Sequence, residues 1–344
     1  MPLSPGDVAP WFRAPTVSTS EFNFEAAAGR FVLMLFLPVE PELRVAALRA
    51  LAAHQPLFND VTATAFVVVR DAETGQTARD LRGLRWFLDP DGEVSRLFEA
   101  DRPHWLLLDP TLRVIAAAAI HAPERILAAL AERPDPAFHT GSEVPAPVLV
   151  APRIFEPELC GRLIALHAEQ ERDFTGVMRD AGDRTVRVMD DLKKRRDFLI
   201  QDETLQQEIR QRLERRLFPL IRRAFSFTPT HIERYLVSCY DAADGGVFHP
   251  HRDDTTLATA HRKFACSLNL NGDFEGGDLR FAEFSRTTYR PPVGGAVVFG
   301  CGLMHEATRV TAGRRYAFLP FFHDDAGAQM LEAYETRAAT RAPK

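Results

Sequence analysis

The sequence predicts two domains: an α/β first half, and a second half in which helices lead into a β-sandwich or jelly roll. Three observations carry this. The chain has 344 residues, enough for two ordinary cores. The segment PDPAFHTGSEVPAP holds four prolines between Pro134 and Pro147, a composition suited to a linker. The hydrophobic pattern differs on its two sides. Before it, apolar runs alternate with helical periodicity; after it, helices give way to short strands separated by Gly/Pro turns. The expected limits are a domain over 1–133, a linker over 134–147, a second domain over 148–330 and a frayed tail over 331–344.

In the first domain, Phe31–Leu37 is a continuous apolar run suited to a buried strand. Glu40–Ala53 carries Leu43, Ala46, Leu48 and Leu51 at helical spacing, and Thr64–Val69 is a second, β-branched strand. Trp105–Leu108 and Val114–Ile120 form a hairpin across Asp109–Leu112, and Ala122–Leu130 closes the domain as a helix. The second domain opens with a helix over Glu156–His167, its proline near the start. Asp202–Phe225 is a long amphipathic helix with Leu205, Ile209, Leu213, Leu217 and Ile221 spaced by four. Strands are expected at Arg234–Tyr240, Phe264–Leu270, Asp278–Phe281, Gly295–Phe299 and Arg315–Phe322.

Composition excludes several classes. A net charge of −5 offers no overall basic field for nucleic acid. The apolar run Phe31–Leu37, stopped by Pro38, falls far short of the roughly 20 residues that span a bilayer, so no membrane segment is expected. The opening MPLSPGDVAPWF has neither a charged nor an apolar signal region. Cys160, Cys239, Cys266 and Cys301 form no CxxC pair and read as buried thiols, so the expected compartment is the cytoplasm.

The chemistry lies in the second domain. After the turn cluster DAADGG comes FHPHRDD, where His251 and Asp253 stand two apart and would share a face of a strand. Alone this is weak, because about one such pair is expected by chance among so many histidines. His305, far along the chain, supplies a third ligand, and Arg315 follows it across an expected turn at Thr311–Gly313. Two histidines and a carboxylate leave three positions open on an octahedral ferrous ion. A 2-oxo acid can fill two and dioxygen the third. The far carboxylate of 2-oxoglutarate then calls for a planar two-pronged donor, which a guanidinium provides.

The order of motifs resembles the prolyl 4-hydroxylase-type iron(II)/2-oxoglutarate dioxygenases. Phe248-His249-Pro250-His251-Arg252-Asp253 matches that family's ligand segment. SLNLNGDFEGGDLRF matches its leucine-asparagine strand and Gly-Gly turn, PPVGGAVVF its Pro-x-x-Gly turn, and His305, Val310, Gly313 and Arg315 its last motif. The likeness runs over about residues 148–322. It implies a double-stranded β-helix (jelly roll) with flanking helices, Fe(II) on His251, Asp253 and His305, and 2-oxoglutarate on Arg315. It also implies O2 as oxidant, ascorbate as a candidate reductant, and a peptide, amino acid or small molecule as substrate. Phe248 replaces the tyrosine common there and removes a hydroxyl from the co-substrate pocket. Tyr240 resembles another pocket tyrosine, and Asn269 stands where a tyrosine often sits; both are assigned to 2-oxoglutarate.

Neighbouring residues have plainer readings. His249 shares parity with the ligands, but Pro250 interrupts the ladder. Arg252, Asp254 and Arg314 should leave the inward face. Arg196, in MDDLKKRRD, lies in a stretch that the resemblance makes a wall over the site. The basic run 193–223 reads as the solvated face of a helix. His231, His261 and His323 have no ligand spacing.

In the first domain GDVAPWFRAPT, GRFVLMLFLP, FLDPDGEVSRLF and WLLLDPTLRVIAA resemble an AhpC/TSA-type peroxiredoxin, which implies a thioredoxin-like fold and a cis peptide at Pro103. The expected site of the peroxidatic cysteine reads PVEPELRVAAL and has no thiol, so peroxide reduction is not expected. Scaffolding, partner docking and homodimerisation remain for it. Against an active dioxygenase stand a silent binding or regulatory protein built on two degenerate enzyme folds, and a zinc hydrolase. The latter would leave Arg315 without a task.

Overall fold

Buried strands dominate the first half, and their alternation explains how one short run serves two cores. In the computed structural model, which describes residues 3–169, 173–182, 184–189 and 192–340, the chain separates into two units. One is Met1–Ala146 with Ala282–Arg286, the other Pro147–Phe281 with Thr287–Lys344.

In the first unit β1 (Phe31–Phe36), β2 (Ala63–Val69), β3 (Leu84–Leu88), β4 (His104–Leu108) and β5 (Val114–Ala119) form a sheet in the order β3-β2-β1-β4-β5. Pairs β1–β2 and β2–β3 are parallel, and β4 and β5 add antiparallel. Both faces of β1 are covered, which is why it reads as an unbroken apolar run. Phe31, Leu33 and Leu35 face Ala47 and Leu51 of α1 (Pro41–Ala53), together with Ile126 and Leu127 of a helix at Pro123–Ala131. Val32, Met34 and Phe36 pack instead with Phe24, Val94 and Phe98. Each fully buried side chain of this kind stabilises by about 1.5–3 kcal/mol. Strand β3 was not expected from the sequence, and Pro103 is corrected: no peptide bond among the described residues is cis.

In the second unit the helices cover one face of a large antiparallel sheet. Taking Pro123–Ala131 as α2, α3 is Pro157–Ala168, α4 Glu203–Arg212 and α5 Phe218–Phe225. The long helix expected over 202–225 is interrupted by a π-turn at Leu213–Leu217. Two features of the sequence favour that turn. Apolar residues spaced by four drift about 40° per step around a 3.6-residue helix, and a wider turn restores them to one face. Pro219 also lacks the N–H that a regular helix would need. Leu213, Leu217 and Ile221 are all fully buried against the sheet.

The sheet strands are β6 (Leu149–Ala151), β8 (Arg196–Leu199), β9 (Leu236–Asp241), β11 (Phe264–Asn269), β15 (Ala296–Gly300) and β17 (Val310–Phe318), in the order β8-β9-β17-β11-β15-β6. A second sheet runs β7-β10-β16-β13-β14, from Lys193–Lys194, Val247–His251, His305–Ala307, Leu279–Arg280 and Thr288–Tyr289 respectively. Phe274–Gly276 (β12) pairs with β17, and Phe321–His323 (β18) with β11. On β9, β11 and β17 the residues Val237, Leu268 and Phe318 face the helices, so Tyr240, Ser267 and Arg315 turn to the other face.

Two expectations are corrected here. Thr311–Gly313 is not a turn but part of β17, and the chain passes at 308–309 from one sheet to the other. Gly313 keeps a positive φ of 71°, and a Cβ there would lie 2.5 Å from the Asp273 carbonyl oxygen. The part of the tail at 331–340 is not frayed; it belongs to a helix, Asp325–Thr340, and 341–344 lie outside the described residues. No described helix is long and apolar enough to cross a membrane.

Candidate active site

His251 is the last residue of β10, and its partner across the ladder is His305, the first of β16. A bulge between Phe248 and His251 breaks the register there. Asp253 therefore lies past the strand end and not on it; its N–H bonds the Cys301 carbonyl at 3.0 Å. The ligand atoms of His251, Asp253 and His305 all lie within 4.8 Å of one another. Asp253 approaches His305 Nε2 at 3.3 Å and His251 Nε2 at 3.7 Å.

The other nitrogen of each imidazole is committed. His251 Nδ1 lies 2.7 Å from the His249 carbonyl and His305 Nδ1 2.9 Å from that of Leu303. A proton on each Nδ1 leaves both Nε2 lone pairs directed at Asp253. Burial, aided by His305, lowers the His251 pKa to about 3 and keeps the ring neutral. Burial disfavours the Asp253 carboxylate, yet His305 first, with Arg262 farther off, outweighs it and holds its pKa well below the usual range. Neutral imidazoles and an ionised carboxylate are the forms that bind a divalent cation. The donor set fits Fe(II), and equally Zn(II).

These groups line a cavity that Tyr240, Arg315 and Ser267 also line. Arg315 is 2% exposed and donates to Ser267 Oγ at 2.7 Å and Asn269 Oδ1 at 3.1 Å. Asn269 in turn donates to the Pro291 carbonyl, which fixes the orientation of its amide. Both acceptors on Arg315 are neutral, and no described carboxylate pairs with it. It is a positioned cation without a counter-charge. Asn269 thus orients the arginine and does not line the cavity itself. The guanidinium lies over the Tyr240 ring at 5.3 Å. The Tyr240 hydroxyl accepts from Arg195 Nη1 at 2.9 Å and keeps its own proton to donate. Phe248 stacks on His251, ring centroids 3.5 Å apart.

Arg195 and Arg234 also line the cavity and were missed. Arg196, the residue singled out from the sequence, instead pairs with Asp244 and stacks on Phe174. Strand parity would have distinguished them: Lys193, Arg195 and Asp197 alternate onto one face, and Asp197 pairs with both cations, at 3.3 and 2.9 Å. Burial, with Arg195 adding to it, lowers the Lys193 pKa to about 7. Asp190 and Asp191 of the same stretch lie outside the described residues. His249 is exposed and contributes only its carbonyl, Arg252 bonds the Gly302 carbonyl, and Arg314 points outward to Asp241. His261 pairs with Glu233, and His231 stacks on His323. All four cysteines are buried and unpaired.

No known family model matches the sequence, and no curated protein matches it. Solved structures resemble about half of the chain. A viral collagen prolyl hydroxylase from Paramecium Bursaria Chlorella virus-1, in complex with 2-oxoglutarate, is 13% identical, with a TM-score of 0.39 over 51% of this chain and 94% of its own. A Pseudomonas putida prolyl-4-hydroxylase is 17% identical, with a TM-score of 0.37 over 52% and 92%. A Trichoplax adhaerens prolyl hydroxylase, in complex with a hypoxia inducible factor peptide, is 15% identical, with a TM-score of 0.38 over 53% and 86%.

Proposed function

We propose that the protein is an Fe(II)/2-oxoglutarate-dependent dioxygenase that hydroxylates a C–H bond of a peptide, amino acid or small molecule. The observation that carries this is the pairing of two elements in one cavity: the convergent His251, Asp253 and His305, and a buried arginine, Arg315, with no acidic partner among the described residues. A zinc hydrolase would use the first and leave the second idle.

In this reading His251, Asp253 and His305 hold the metal, and Arg315 holds the far carboxylate of 2-oxoglutarate through two parallel N–H donors. Tyr240 supplies a further donor, in place of the hydroxyl missing at Phe248. Leu279, Phe299 and Ala307 exclude water from the reacting atoms. Iron and 2-oxoglutarate, once bound with O2, supply an oxidant that inserts oxygen into a C–H bond as 2-oxoglutarate is converted to succinate and carbon dioxide. The alternating strand orders of the two sheets support a double-stranded β-helix for 148–330. The mixed sheet of the first unit supports a thioredoxin-like scaffold over 1–133, without a nucleophile and available for docking or dimerisation.

Anaerobic titration tests the proposal. Ferrous iron and 2-oxoglutarate should bind together and give a weak visible charge-transfer band, and His251→Ala should abolish it. Equal binding by His251→Ala, or none by the wild type, would sink the reading in favour of a silent binding protein. Succinate release across a substrate panel then identifies what is oxidised.

A further inference from the structure

Among the cations that line the cavity, Arg234 is left without a carboxylate. The metal's two positive charges would be met by Asp253 and the near carboxylate of 2-oxoglutarate. Arg315 would be met by the far carboxylate. Arg195 and Lys193 share Asp197, and Arg262 is paired with Glu233 at 2.6 Å. Arg234 lines the same cavity, and no described carboxylate pairs with it. Its one hydrogen bond runs from Nε to the Leu319 carbonyl at 3.3 Å, so the two terminal nitrogens of the fork have no acceptor in the described chain.

Its place is distinct from that of Arg315. Leu319 lies four residues beyond Arg315, roughly 13 Å of extended chain at ~3.3 Å per residue. Arg234 lines the cavity together with the metal ligands. The Arg234 and Arg262 guanidiniums both pack on the Phe321 ring, at 4.3 and 3.9 Å, and Arg262 donates to the Asp253 carbonyl at 3.2 Å. Burial and the neighbouring Arg262 and Arg195 lower the Arg234 pKa only to about 10, so it stays charged at neutral pH. A buried cation without a partner is costly to keep. A bound anion would offset that cost.

We propose that the substrate of this site is a small carboxylic acid, its carboxylate held by the Arg234 fork in the cavity that the metal ligands line. A single guanidinium fork, with no second unpaired cation lining the cavity beyond Arg315, matches a carboxylate better than a phosphate dianion. The inference rests on the dioxygenase reading and adds the substrate class.

The test uses the full chain loaded with Mn(II) and saturating 2-oxoglutarate, with propionate as the probe and propionamide as its neutral counterpart. The readout is the paramagnetic relaxation of the probe's methyl protons, which reports binding close to the metal without turnover. Propionate should bind saturably and at least about tenfold more tightly than propionamide, a difference of ~1.4 kcal/mol. Arg234→Gln should erase the difference, and Arg234→Lys should retain part of it. Should Arg234→Gln fail to fold, the wild-type preference and its partial retention in Arg234→Lys decide the matter. Propionate and propionamide binding alike to the wild type, no saturable propionate binding, or full propionate affinity in a folded Arg234→Gln would each overturn the inference alone. Failure of the wild type to take up 2-oxoglutarate would overturn the dioxygenase reading and this inference with it.

Discussion

Replacing Arg315 by Met removes the guanidinium expected to hold the far carboxylate of 2-oxoglutarate, while keeping much of the side-chain volume. A charge-assisted hydrogen bond contributes about 1.5–3 kcal/mol, and truncating one partner of a buried charge pair costs about 2–5 kcal/mol. Arg315 is 2% exposed, so water screens little of its charge. The loss should be about 3 kcal/mol, or roughly a hundredfold in Kd at ~1.4 kcal/mol per tenfold. Arg315→Lys keeps the charge without the fork and should lose about tenfold. The assay is anaerobic titration of the ferrous protein with 2-oxoglutarate, followed by visible absorption. Thermal unfolding alongside reports the cost of leaving Asn269 Oδ1 and Ser267 Oγ without their donors. A folded Arg315→Met that binds 2-oxoglutarate within about threefold of wild type, against the ~1.4 kcal/mol per tenfold scale, would refute the assignment of the co-substrate pocket.

Three further outcomes are expected. Asp253→Ala should weaken metal retention by at least about a hundredfold, because changes behind a ligand alone already cost 10–100-fold; equilibrium dialysis against Fe(II) or Mn(II) measures it. Tyr240→Phe should weaken 2-oxoglutarate by about tenfold (~1.4 kcal/mol) through loss of one donor, read in the same titration, with metal affinity unchanged. Burial works against the Glu233 carboxylate, but hydrogen bonds from His261 and Arg262 outweigh it and hold its pKa at about 2. A lowered carboxyl pKa stabilises the fold above the unfolded value near 4.5 and loses that contribution as pH falls toward 2. Glu233→Gln should therefore cost up to about 3 kcal/mol at neutral pH, with the gap to wild type closing between pH 4.5 and 2 in urea denaturation; a constant gap would contradict the pairing.

Much of the fold was legible because local pattern and burial agree. The run Phe31–Phe36, the stripe from Leu205 to Ile221 and the alternation in Phe264–Asn269 are each buried as their periodicity requires. What the pattern missed was set by partners distant in sequence. Leu84–Leu88 mixes half-buried residues with Trp86 and Phe87, and it is a strand because β2 pairs beside it. Thr311–Gly313 has the composition of a turn, yet it extends β17 because β12 provides a ladder for it. The helix over 325–340 is mostly exposed, so its hydrophobic pattern carried little signal.

The sequence by itself determined the types of the candidate site groups and their order: His251 and Asp253 two apart, then His305, then Arg315. Spacing within one strand or turn is a local property, and the chain states it directly. Only the tertiary structure decided which cations keep their charge uncompensated. Arg195, Arg234 and Arg315 are alike in sequence. Asp197 pairs with the first, whereas Arg234 and Arg315 line the cavity with no described carboxylate in an ion pair with either. That difference depends on which carboxylates fold to within a few ångströms, where the low dielectric makes an unpaired charge matter. No window of the sequence contains those distances.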